Sequence, residues 1–236
     1  MKVISVLIAL VGAALAGAVD SFDYHCANIA LLQDKSVQKE IGITEAERSQ
    51  MNKFADAHRA RLAAYQKGLN GAAPNAKVLD GYMNDLKSQV VGVMNPAQVK
   101  RLRELNLQAA GLIGLLDQVV ATKIGFSDAQ FKKYRDTYLT GRKEAETLFR
   151  NTIVPLDKKY QNLAAPYKGH EKEHEAELKT LSEQYVAEAK QAQSRIKPRV
   201  DAITKATEEK MRALITAKQK ATWLALQGKK FTPGKK

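Results

Sequence analysis

The chain has 236 residues, and its 38 Lys plus Arg against 25 Asp plus Glu give a net charge of +13. Apolar residues at 44% and charged ones at 27% are globular values, which exclude wholesale disorder. A single Cys excludes an internal disulfide and a zinc ribbon, and 14 Gly with 6 Pro are too few for a turn-rich β-sandwich.

Met1-Lys2 opens the chain, followed by the uncharged apolar run Val3 to Ala16 and the small residues Gly17-Ala18. A cation, a short apolar segment and a small-x-small site predict a signal peptide over residues 1–18, cleaved after Ala18, and hence a periplasmic or secreted protein. The run is short for a transmembrane helix. A mature chain starting after Ala18 carries +12. Cys26 follows Asp23-Tyr24-His25 rather than the small residues of a lipoprotein site, and the His25-Cys26 pair is expected in a frayed N-terminus.

Val37-x-x-x-Ile41-Gly42-Ile43-Thr44-Glu45-Ala46-Glu47 then recurs 83 positions later as Val120-x-x-x-Ile124-Gly125-Phe126-Ser127-Asp128-Ala129-Gln130. Met94-Asn95-Pro96-Ala97-Gln98 recurs 121 positions later as Ile215-Thr216-Ala217-Lys218-Gln219 when the preceding pairs Val93-Met94 and Leu214-Ile215 are aligned. The boundaries are a first helical repeat over 28–110, a second over 111–231 enlarged by a charged helix, and a basic tail over 232–236. Two copies of one unit suit these lengths better than a solenoid.

Each repeated motif is a helix start. Thr44, Asn95, Ser127 and Thr216 are good N-caps, and each has Glu47, Gln98, Gln130 or Gln219 three positions on, the pattern of a capping box. Pro96 stands at the first helical position, where its missing N–H costs nothing. Met94 with Val99 and Phe126 with Phe131 have the spacing of hydrophobic staples.

The periodicity between these starts is helical. Met51, Phe54, His58, Leu62, Tyr65 and Leu69 step by three and four, as do Phe131, Tyr134, Tyr138, Ala145, Phe149, Leu156, Tyr160 and Leu163 across a skipped turn. Breaks are expected at Gly68 to Asn75, near Gly111 to Gly114, at Pro166 to Gly169 and at Gly228, with kinks or short breaks at Pro155 and Pro198. Nothing alternates like a strand. The fold class is all-α: two tandem helical repeats of amphipathic helices.

The four motifs Ile43-Thr44-Glu45-Ala46-Glu47, Met94-Asn95-Pro96-Ala97-Gln98, Phe126-Ser127-Asp128-Ala129-Gln130 and Ile215-Thr216-Ala217-Lys218-Gln219 resemble variants of the LTxxQ motif of Spy/CpxP-like periplasmic helical proteins. The layout is similar to that of longer two-repeat relatives. The resemblance implies an envelope compartment and a helical fold. By extension it implies an envelope chaperone or stress-response protein, a homodimer that holds unfolded or acidic clients without ATP.

His170-Glu171-Lys172-Glu173-His174 spells H-E-x-x-H, which on a helix sets two imidazoles on one face with a Glu to activate water. Its surroundings are charged throughout, whereas a metallohydrolase helix is apolar and buried around this motif. His170 and His174 are therefore weak metal candidates for adventitious Zn²⁺ or Cu²⁺, on a solvated helix face. They leave a metal-responsive or structural envelope protein as the alternative function, and an H-E-x-x-H metallohydrolase as a remote one. His58, on an apolar stripe, reads as a core or groove histidine rather than a base. No nucleophile triad or phosphate loop stands out, so no enzyme and no resident cofactor is expected.

Charge is uneven: residues 171–188 hold six Glu and two Lys, whereas 48–67 hold five cations and one Asp. The basic excess points to unfolded or envelope proteins and anionic envelope surfaces as partners, with nucleic acid excluded by the export signal and the lack of a recognition fold.

Overall fold

The computed structural model of the protein describes residues 18–232, so residues 1–17 of the signal segment expected over 1–18 lie outside the described residues, as do 233–236 of the basic tail. All regular structure among the described residues is helical. In chain order it comprises α1 (Ser21–Cys26), α2 (Lys35–Glu40), α3 (Glu45–Gly68), α4 (Ala76–Gly92), α5 (Pro96–Ala110), α6 (Gln118–Lys123), α7 (Asp128–Ala164), α8 (Glu175–Ala213) and α9 (Ala217–Gln227). Three short 3₁₀ segments, Ile29–Gln33, Gly111–Leu116 and Ala165–Tyr167, join them.

The repeat is structural as well as textual. A 3₁₀ turn, a six-residue helix capped by Asp34 or Asp117, and a long helix after Thr44 or Ser127 follow in the same order in both halves. Between the short and long helices the chain turns at Gly42 (φ 71°) or Gly125 (φ 88°). That left-handed conformation favours glycine, which has no Cβ to clash. The turn closes identically, Ile43 N–H donating to the Gln38 carbonyl and Phe126 N–H to that of Ala121, both at 2.9 Å. The extra length of the second copy lies in its hairpin: α7 and α8 have 37 and 39 residues, where α3 and α4 have 24 and 17.

The chain forms two compact units. One contains the described residues up to Gly111 and again from Trp223; the other is Leu112–Thr222. Residues 223–231, which sequence spacing places with the second repeat, thus cluster with the first.

In the first unit Val99 and Leu102 of α5 have no exposed surface, and they share a core with Leu32, Ile41, Met51 and Val91. Burying such side chains is worth about 2 kcal/mol each. Contrary to the expected frayed terminus, α1 is packed, with Phe22 and Cys26 buried. Arg103 of α5 explains why: its Nε donates to Asp23 Oδ1 at 2.8 Å, and its guanidinium lies 5.6 Å from the Phe22 ring centroid. Nη1 of the same Arg donates to the Leu226 carbonyl. Gln108 Nε2 donates to the carbonyls of Gln227 (2.6 Å) and Lys229 (2.8 Å), while its Oε1 accepts from Phe231 N–H. Polar side chains of α5 thereby hold both the start and the end of the described chain.

The second unit is built on the antiparallel pair α7–α8. Gln130 meets Leu214 at one end, Gly141 meets Thr207 further along, and Asp157 meets Tyr185 towards the far end. A Cβ on Gly141 would overlap the Thr207 side chain, so the missing side chain lets the helices approach. Ala189 and Ala192, both buried, present similarly small side chains on α8. Near the base, Tyr134 is fully buried and its hydroxyl donates to the Leu112 carbonyl at 2.8 Å. Burial pushes its ionisation above the ordinary phenol range. Phe126 stacks edge-on against Tyr134, ring centroids 5.4 Å apart.

Pro155 and Pro198 do not break their helices, contrary to the short breaks allowed for on sequence. Each removes one backbone hydrogen bond, a local cost of about 3 kcal/mol. The extended packing of α7 on α8 keeps both helices continuous through it.

Candidate functional site

The motif residues form a cross-linked joint in each repeat. Thr44 Oγ1 accepts from Glu47 N–H (3.2 Å) and Glu47 Oε2 from Thr44 N–H (2.8 Å); Asn95 and Gln98 exchange the same two bonds at 3.0 and 2.8 Å. Thr216 and Gln219 form the third reciprocal box at 3.0 and 3.3 Å. The fourth differs from the sequence expectation. Ser127 Oγ accepts from Gln130 N–H at 3.2 Å, but the Gln130 amide points away, donating to the Leu214 carbonyl (2.7 Å) and to Gln219 Oε1 (2.8 Å).

The reason lies in a second role that motif spacing does not reveal. Gln98 Nε2 reaches across to the Gly42 carbonyl and to Glu47 Oε2, both at 3.1 Å. Gln219 Nε2 does the same to the Gly125 carbonyl and Gln130 Oε1, both at 2.8 Å. One Gln in each repeat therefore caps its own helix, satisfies the left-handed turn and pairs with the other motif. Gln98 and Gln219 are buried, and leaving their partners without bonds would cost about 1–3 kcal/mol per group. These eight residues position the helix starts.

The His170–His174 run is not helical. It forms turns between Gly169 (φ 88°) and α8, whose N-cap is His174 itself with no side-chain capping bond. The left-handed glycine redirects the chain just before the motif, so the i, i+4 helical face expected for the two imidazoles is not formed. Each faces a carboxylate instead: His170 Nδ1 lies 3.5 Å from Glu173, and His174 Nδ1 lies 3.8 Å from Glu177. Glu171, the position of the water-activating residue, accepts from Gly169 N–H at 2.9 Å, which lowers its carboxyl below the ordinary range. Among the described residues no group of three or more His, Cys, Asp or Glu is placed to hold a metal ion. His58 is half-buried on α3; His25 is exposed beside the buried Cys26.

What the second unit does present is apolar surface. Leu139 (48% exposed), Phe149 (45%), Val154 (51%) and Leu163 (44%) on α7, with Val186 (60%) on α8, lie open. A helix spends one stripe on its single partner, so apolar residues beyond that stripe remain in water. Phe149 and Leu163 belong to the stripe read from sequence; Leu139, Val154 and Val186 do not. A groove of about 840 Å³ runs between α7 and α8 beside Gly141, lined by Ile203, Ala206 and Thr207 and edged by Lys132, Lys133 and Lys210. A smaller one of about 350 Å³, towards the far end, is lined by Tyr160, Leu178, Leu181 and Tyr185. There Tyr160 and Tyr185 cross edge to face at 5.4 Å, each donating its hydroxyl to a carboxylate on the opposite helix. The signal that could have located the groove was Gly141, a glycine inside an otherwise helical pattern.

No family model matches the chain, and no curated protein or solved structure matches it either. No helix among the described residues is long and apolar enough to cross a membrane.

Proposed function

We propose that the protein is an exported, ATP-independent helical binding protein of the Spy/CpxP-like kind that holds unfolded clients on the α7–α8 hairpin. The supporting observation is the set of five large apolar side chains, each 44–60% exposed, along a hairpin of two long helices. Lys132, Lys133, Arg135, Arg142 and Lys143 bracket Leu139 along α7, Lys132 paired with Asp136 and Arg142 with Glu146. Cations speed capture of acidic chains by long-range attraction, and apolar contacts slow their release. Nothing in such a surface requires a cofactor or a bond-making group. The signal segment read at residues 1–18 supports export.

The test is light scattering from a chemically unfolded client diluted into buffer with equimolar mature protein. Aggregation is expected to slow, and the variant carrying Phe149→Ser and Val154→Ser is expected to lose most of that effect while keeping its helical circular dichroism. Unchanged aggregation with wild-type protein, across clients of both charge signs, would overturn the proposal.

A further inference from the structure

Beside the Gly42 turn lies a pocket of about 470 Å³ lined by Lys35, Lys39 and Arg48, together with Gln38, Ile43 and Thr44. No carboxylate lines it. The nearby acids are engaged elsewhere: Glu40 with Arg101, and Glu47 with Thr44 N–H and Gln98. Glu45 reaches Arg48 Nη1 at 3.0 Å from a side chain that is 83% exposed. Arg48 Nε, by contrast, is the one buried side-chain polar atom among the described residues with no hydrogen-bond partner. A buried orphan donor is unfavourable, and an ion or water that meets it is one explanation for its being kept.

The second repeat supplies an internal control. Its matching turn, with the same two helices and the same glycine, carries Gln118, Thr122 and Phe131 where the first repeat has Lys35, Lys39 and Arg48. The scaffold therefore does not need the cations. Lys39 gains from its place in the last turn of α2, but that helix-end effect does not account for Lys35 or Arg48. Like charges at i and i+4, as Lys35 and Lys39 are, destabilise a free helix.

We infer that this pocket binds a phosphate-class oxyanion, either free phosphate or the phosphate of a lipid headgroup. Two ammonium groups supply charge, and the Arg48 guanidinium adds a directional donor that suits a tetrahedral oxyanion. The inference does not depend on client holding by the hairpin.

Binding of inorganic phosphate, and separately of vesicles of phosphatidylglycerol in phosphatidylcholine, is measured at low salt for three proteins. These are the wild type, the variant Lys35→Gln, Lys39→Thr, Arg48→Phe, and the charge-matched control Lys190→Gln, Lys197→Gln, Lys205→Gln on the exposed surface of α8. The first variant installs residues that the second repeat already tolerates at this turn, and circular dichroism checks that it folds. Its affinity is expected to fall about tenfold or more, with the control close to wild type. A loss seen with phosphate itself assigns free anion, and a loss seen only with vesicles assigns the headgroup. Equal binding by wild type and first variant, an equal loss in the control, or no binding of either probe by wild type overturns the inference.

Discussion

Gln130 and Gln219 face one another as a reciprocal amide pair, Nε2 of each donating to Oε1 of the other at 2.8 Å. In the first repeat the same joint is made by Gln98 and Glu47, where a carboxylate can only accept. The N-termini of two helices distant in sequence are thus locked by the residues that start them. Replacing Gln219 with Ala removes bonds to Thr216 N–H, the Gly125 carbonyl and Gln130 together. The expected cost is about 2–3 kcal/mol, well above the ~1 kcal/mol of an ordinary cap, read from denaturant unfolding. A double-mutant cycle with Gln130→Ala should show coupling of about 1 kcal/mol, and simple additivity would refute the pairing.

Gly141 permits the close approach of α7 and α8. On an open helix, Gly→Ala stabilises by about 1 kcal/mol; here the added methyl meets Thr207. Gly141→Ala is expected to destabilise by about 1–2 kcal/mol, and Thr207→Ala in the same protein to recover part of the loss. Thermal denaturation of the wild type and the two variants checks the order.

Arg103 ties α1 and the 223–231 segment to α5. Arg103→Ala leaves Asp23 without its guanidinium and the Leu226 carbonyl without that donor, an expected loss of about 3 kcal/mol. Trp223 is the only Trp and is buried, so its emission should shift to the red if the segment loosens. Emission and stability both unchanged would show that the contact holds nothing.

Glu188 accepts from Lys159 Nζ at 2.7 Å and from the Tyr160 hydroxyl at 3.0 Å. The lysine bond, then the tyrosine bond, lowers its carboxyl below the ordinary 4.5. A carboxyl lowered in the folded state stabilises it above the unfolded value and loses that contribution as pH falls through the folded one. The melting-temperature difference between wild type and Glu188→Gln should therefore be present near pH 7 and shrink below about pH 4.5. A difference that stays constant down to pH 2 would show that the carboxylate contributes no such linkage.

The parts of the fold that were legible in sequence are those governed by local rules. Helix starts follow from a cap residue and its partner three positions on, and the all-α class follows from the 3.6 period; both need only neighbouring residues. Contacts across long separations were not legible. Cys26 reads as part of a loose end because Asp23 and Arg103 are 80 residues apart and nothing in either neighbourhood announces the pairing. His170–His174 reads as helical because its residues favour helix, yet Gly169 with φ 88° sets the turn. Gln130 reads as the reaching half of a capping box, but Gln219, 89 residues away, competes for its amide. The stripe through Phe149 and Leu163 reads as the apolar face of an amphipathic helix, and it stays partly in water because each hairpin helix has limited packing to cover it.

The claim that the open apolar residues of the hairpin hold unfolded chains is tested most directly by site-specific photo-crosslinking. A photoreactive residue replaces Val154, Val186 or, as an exposed polar control, Asp56 on α3. Unfolded client should crosslink at 154 and 186 well above the control, and the same client in its native state at none of the three. Equal labelling at all three positions, or labelling that ignores the folding state of the client, would contradict the claim.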